Sequence, residues 1–298
     1  MGEISSLLAT EENMVAEVVC DYGCEVGENP LWHPTEKRLY WCDILTGRMF
    51  RYEPGTGRHE QFYQGETVGG FTIEPDGALL LFGERGSVRL MRNNKLTTII
   101  DEIPEERDTR FNDVIADPMG RVFCGTMGTN ERPGRLYRVD PPGRATLLLE
   151  GIGCPNGFGF TLDRKNMYFT DSFVRTIWLF DYSQEQGTLS NRRPFIQTAD
   201  SDGMPDGMTV DSEGYVWSAL WDGSSIVRYT AEGKESQRIP IPAKKSSSLI
   251  FGGEDLSEIY VTSAGGTNKE AEGAAAGALF RLRPGVRGIP EFVSRIAQ

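Results

Sequence analysis

Glu28, Asn112, Asn156 and Asp206 each open a short apolar run, and each carries a carboxylate or carboxamide oxygen. The same place in two further runs holds Gly69 and Ser247, so the six positions follow one another at steps of 41–50 residues. Glu, Asn and Asp supply hard oxygen ligands, and two carboxylates balance a divalent charge. That suits calcium, magnesium or manganese, with waters completing the shell. Taken singly, an Asn or Asp at a strand end more often bonds its own backbone in a turn. Four at one repeat position favour a site. Pro155-Asn156-Gly157 and Pro205-Asp206-Gly207 are matching tripeptides, in which Pro fixes φ and Gly admits a close backbone. Arg110, two residues before Asn112, has two readings of equal weight: a donor to a ligand's hydroxyl or carboxyl oxygens, or a member of an ion pair. Asp76, Asp117, Asp163 and Asp211 read as ordinary turn residues.

Other chemistries find less support. No Gly-x-Ser-x-Gly elbow is present. The two histidines exclude a His-rich metal site; His33 reads as a strand-end residue and His59 as a solvated turn. Cys154 adjoins Pro155-Asn156 but has no evident His partner, so it reads as a packed bystander. The five tryptophans sit mostly in strand-like runs and read as core.

What must position the four oxygens is a repeat. Each start is followed by a turn and a second strand, among them Leu39-Tyr40-Trp41-Cys42, Val122-Phe123-Cys124-Gly125 and Met167-Tyr168-Phe169-Thr170, and often by a third. Runs of four to seven Val-, Ile- and aromatic-rich residues broken by Gly, Asp and Pro indicate an all-β chain. Six units of forty-odd residues predict a six-bladed β-propeller, with an open solenoid as the alternative. Residues 14–20 form a spare strand expected to complete the last blade. The expected organisation is one propeller domain over 14–298 with an extension at 1–13. In such a ring, residues at one repeat position meet around a central channel, however far apart in sequence. Segments 201–204 and 265–277 read as mobile loops on the rim.

Composition narrows the partners. The 298 residues carry a formal charge of −12 and a sequence pI near 4.8. With no basic run, nucleic acid is not expected as a ligand. No apolar run approaches a membrane span, and the first residues lack a signal-peptide pattern. Five cysteines without paired ligand spacing suggest a reduced, cytoplasmic protein, as a monomer or small homo-oligomer.

Together, Gly27-Glu28-Asn29-Pro30-Leu31-Trp32, Arg110-Phe111-Asn112-Asp113, Gly125-Thr126-Met127, Pro155-Asn156-Gly157, Tyr168-Phe169-Thr170-Asp171-Ser172, Pro205-Asp206-Gly207-Met208 and Phe251-Gly252-Gly253 resemble the senescence marker protein, gluconolactonase and regucalcin family. The resemblance spans about 20–292. It implies one divalent metal ion held by Glu28, Asn156 and Asp206: calcium first, with zinc, magnesium, manganese or iron(II) as the alternatives. It implies that Arg110 and Asn112 bind substrate, and that the reaction opens a sugar lactone to the aldonic acid. In that chemistry Asp206 takes the water's proton, or only positions a water already acidified by the cation. The chain departs from the family pattern at Val114, where many members have Gly, and at Gly128-Thr129-Asn130-Glu131, where some are acidic. These departures bear on the substrate more than on the metal. The other readings are a calcium-binding regulatory protein without turnover, an interaction scaffold, and a propeller esterase acting on another ester such as an organophosphate.

Overall fold

The computed structural model describes residues 15–298. Short apolar runs separated by turn residues fold as antiparallel four-stranded sheets, and six such sheets stand around an axis. The inner strands are Gly27–His33, Val68–Ile73, Phe111–Ala116, Pro155–Phe160, Met204–Val210 and Ser246–Gly252, defining blades 1 to 6. Asp caps and Gly closes several of the turns that follow. Asp117 Oδ1 accepts the amides of Met119 and Arg121, and Gly120 takes φ +85°, a conformation that suits glycine.

Blade 6 combines Ser246–Gly252, Glu258–Ser263 and Ala278–Leu282 with Glu17–Asp21 from near the other end of the chain. The expected closing strand therefore exists, and pairing it this way shuts the ring instead of leaving the ends of a solenoid. Segment 1–13 and Met14 lie outside the described residues.

Stability resides between blades. Six apolar clusters occupy the six interfaces; the one between blades 2 and 3 includes Leu80, Phe82, Phe111, Val122 and Cys124. Trp41 and Trp217 are fully buried in this way, whereas Trp178 and Trp221 are only half-buried. All five cysteines are free and buried.

Beyond Leu282 the chain crosses the face of the ring where the inner strands end. Gly288 bonds Leu256, and Arg287 accepts from Ser212. Phe292 packs edge-on to Phe160, and the Ser294 amide donates to Ile73. Glu74, buried in blade 2, receives the Ser294 hydroxyl at 2.7 Å and the amides of Ile296 and Ala297. Ile296 is wholly buried with the core of blades 2 and 3.

Several local readings change. His59 lies within the outer strand Arg58–Gln64, where Nδ1 meets the Tyr22 hydroxyl at 2.9 Å, because the turn comes before it. His33 does end its strand and contacts Gly77 O. Asp117 and Asp211 are more than turn residues: both are fully buried. Asp117 also receives Arg121 and, from blade 4, the Tyr182 hydroxyl; Asp211 receives Trp217 Nε1 and Arg228. Segment 265–277 contains a short helix, Lys269–Glu272, and is held by Lys245–Glu272 and Lys269–Asp21 ion pairs.

Candidate metal and substrate site

Each inner strand loses register near its start. The shifts fall between Glu28 and Leu31, Val68 and Gly70, Phe111 and Val114, Asn156 and Phe158, Pro205 and Met208, and Ser246 and Ser248. A bulge re-aims a side chain at the cost of a ladder bond, and six at one level turn one layer of residues toward the axis. That layer is Glu28, Gly69, Asn112, Asn156, Asp206 and Ser247, the repeat position identified from sequence. Glycine lets the strands converge there. A Cβ on Gly157 would lie 2.5 Å from Asp206 O, and one on Gly207 2.1 Å from Ser248 Oγ.

The layer is buried and linked by hydrogen bonds. Glu28, Asn112, Asn156 and Asp206 are between 4% and 8% exposed. Arg110 Nη1 donates to Asn112 Oδ1 at 2.7 Å and to Phe111 O at 2.9 Å. Asn112 Nδ2 donates to Pro155 O and to Asn156 Oδ1, each at 2.8 Å. Asn156 Nδ2 donates to Ser172 Oγ at 2.9 Å, and that hydroxyl donates to Pro205 O at 2.7 Å. Arg110 thus bonds into this layer, and among the described residues it forms no ion pair.

Charge in the layer is unbalanced. Burial, then the neighbouring Asp113, pushes the Glu28 carboxyl up; burial, then Glu28 and Asp113, pushes Asp206 well up. Burial also lowers the Arg110 guanidinium from its ordinary value. Among the described residues, Asp206 Oδ1 is buried with no hydrogen-bond partner. A cation would take up that orphan oxygen and relieve two carboxylates that repel in a low dielectric. Among the described residues, no group of three or more His, Cys, Asp or Glu is arranged to hold a metal ion. Any ion at this layer would need the Asn156 carboxamide beside Glu28 and Asp206. The donor set is all oxygen, which fits a hard cation.

Cys154 adjoins this layer, with Sγ 3.6 Å from Met127 Sδ and 3.5 Å from Asn156 Nδ2. Burial raises its thiol far above the ordinary value, so thiolate chemistry is disfavoured. Below the layer, a cavity of about 50 Å³ is lined by Asn29, Thr72, Asp113, Ser248 and Glu291, the last supplied by the C-terminal segment. Burial pushes both Asp113 and Glu291 up to about 7.

Two kinds of supporting residue have no role assigned from the sequence, although Asp171 and Ser172 stand in one of the motifs of the resemblance. Asp43 accepts the Val26 amide at 2.9 Å and Asp171 the Cys154 amide at 2.9 Å, each fixing the chain two residues ahead of Glu28 or Asn156. The signal was available: both end the second strand of their blade. Ser172 is the other, and only side-chain geometry reveals it.

The SMP-30/Gluconolactonase/LRE-like region matches residues 26–265. The chain belongs to that family. It is 46% identical to a pentonolactonase of Haloferax volcanii over 95% of this chain and 99% of that one. It is 33% identical to a 6-deoxy-6-sulfogluconolactonase of Pseudomonas putida, over 89% of this chain and 94% of the relative. The structure of a calcium-binding regucalcin from Agrobacterium tumefaciens superposes with a TM-score of 0.86 at 25% identity, covering 94% and 97% of the two chains. Family and six-bladed propeller thus agree with the reading from sequence. No helix among the described residues is long and apolar enough to cross a membrane.

Proposed function

We propose that this protein hydrolyses a sugar lactone to the aldonic acid with one divalent cation, calcium first, held by Glu28, Asn156 and Asp206. The orphaned, buried Asp206 oxygen beside Glu28 carries the reading, and the lactonase names of two relatives supply the substrate class. A bound cation would supply Lewis acidity toward the lactone carbonyl and lower the pKa of a coordinated water.

The chain's own groups divide the remaining work. Asp206 receives the proton of the attacking water on the carboxylate oxygen that the cation does not take. Among the described residues Arg110 hydrogen-bonds through Nη1, which leaves Nε and Nη2 for ligand oxygens and developing negative charge, a role worth about 3 kcal/mol per donor. Asn112 spends both amide hydrogens on Pro155 and Asn156. It meets a sugar hydroxyl as an acceptor, through the second lone pair of Oδ1. Oxyanion stabilisation therefore falls to Arg110.

The test is initial-rate hydrolysis of five- and six-membered aldonolactones after chelator treatment, with single metals restored. Turnover that returns with metal supports the proposal. Cation binding without hydrolysis of any lactone would leave the calcium-binding reading, to which the regucalcin likeness also points.

A stability signature accompanies it. Glu28, Asp113, Asp206 and Glu291 all have folded-state values above their ordinary ones, so the folded chain holds protons more tightly than the unfolded chain. Metal-free protein should therefore lose stability as pH rises from the ordinary carboxylate range, about 4–4.5, through 7. Thermal melts in chelator at pH 5 and 8 check this, and calcium should restore the loss at pH 8. Equal melting temperatures in chelator would contradict it.

A further inference from the structure

We infer that Ser172 is a positioning residue for the cation, its hydroxyl setting which atom of Asn156 is presented as a ligand and tying that ligand to the strand of Asp206. The inference rests on the cation site proposed above.

The polarity of the hydrogen-bond chain forces this role. At one end stands the Arg110 guanidinium, which can only donate; at the other stands the carbonyl of Pro205, which can only accept. Asn112 must turn Oδ1 to Arg110 and Nδ2 to Pro155 O, so it offers Asn156 a donor. Ser172 gives its proton to Pro205 O at 2.7 Å, so it offers Asn156 an acceptor. Asn156 sits between the two and has one amide orientation that satisfies both: Oδ1 toward Asn112, Nδ2 toward Ser172. One lone pair of Oδ1 then remains for a cation. Without the Ser172 hydroxyl, Nδ2 loses its acceptor and Asn112 alone holds the carboxamide, so an inverted amide, which would present N–H groups where a ligand oxygen is needed, gains in population.

The hydroxyl also joins two blades. Ser172 follows the second strand of blade 4, while Pro205 immediately precedes Asp206 on the inner strand of blade 5. It is 4% exposed, so water has little access to replace it. Removing a partner of this kind from behind a metal ligand costs about 10- to 100-fold in metal affinity.

Calcium binding to chelator-stripped full-length protein, measured by isothermal titration calorimetry, tests the role. Ser172→Ala should bind calcium at least about 10-fold more weakly than wild type. Ser172→Cys keeps the volume with a weak hydrogen-bonding group and should also weaken binding, supplying the comparison if the alanine variant does not fold. In an Asn156→Ala background, Ser172→Ala should cause little further loss, because both changes remove the same ligand; a purely structural role would give additive losses. Unchanged affinity in both single variants, or additive losses, would overturn the inference. Wild-type protein that binds no calcium, or binds it undiminished in Asp206→Asn, would instead remove the site on which it rests.

Discussion

Replacing Asp206 by Asn should abolish hydrolysis while leaving metal-free protein at least as stable as the parent. The change keeps the shape and removes a carboxylate whose proton is held tightly by burial and by the neighbouring Glu28 and Asp113. In chelator, at pH 7 and above, the variant should melt higher, because a buried charge with an orphaned oxygen has gone. With calcium present the order should reverse, since the variant has lost an anionic ligand and with it the ligand-induced rise in melting temperature. The reaction loses both the proton acceptor and much of the cation's occupancy. General-base catalysis alone contributes about 10²–10⁴-fold, so kcat/KM should fall at least 10³-fold. Paired melts with chelator and with calcium, together with initial rates, make the check. Activity within tenfold of wild type would remove Asp206 from the mechanism.

Deleting residues 293–298 should destabilise the whole propeller although they lie on the face opposite the layer of Glu28, Asn156 and Asp206. The deletion removes Ile296, buried between blades 2 and 3, and three hydrogen bonds to the Glu74 carboxylate. Losing a buried Ile costs about 3 kcal/mol, and stripping bonds from a buried carboxylate adds about 2 kcal/mol after partial resolvation. For a chain of this size, that corresponds to a fall of about 10 °C in melting temperature. Ile296→Ala should give roughly half the shift, without exposing Glu74. At temperatures where the shortened chain stays folded, calcium affinity should persist, since no proposed ligand contacts the segment. A melting temperature unchanged by the deletion would show that the segment is a passenger.

The sequence exposed the ring because the repeat is carried by strong signals: short apolar runs, Asp and Gly turns, and a carboxylate or carboxamide at four of the six starts. It also located the layer, since Glu28, Asn112, Asn156 and Asp206 occupy one repeat position that the strand registers reproduce. The bulges that aim them were invisible, because an extra residue in a strand changes no residue type. The burial of Asp117 and Asp211 was equally hidden: an Asx turn reads the same whether or not an Arg, from the turn itself for Asp117 or from a later strand for Asp211, folds onto it. Ser172 was missed for a related reason. Its neighbours Asn156 and Pro205 lie on two different blades, and no spacing within one repeat connects them. Residues 284–298, which follow the last strand, carry no repeat pattern at all, so their path across five blades could not be anticipated.

The closure of blade 6 also sets an order of events at the ribosome. Glu17 and Arg281 pair in one sheet, yet 264 residues separate them, so an early strand waits for nearly the whole chain to be made before it finds a partner. Such non-local pairing is slow, and the unpaired edge stays open to other chains in the meantime. Glu28 and Asp206 belong to blades on either side of that seam, and a nascent chain can hold five finished blades without fixing their spacing. A cation held as proposed by Glu28, Asn156 and Asp206 would therefore bind the closed ring more tightly than a chain cut short before blade 6, and would favour the finished molecule.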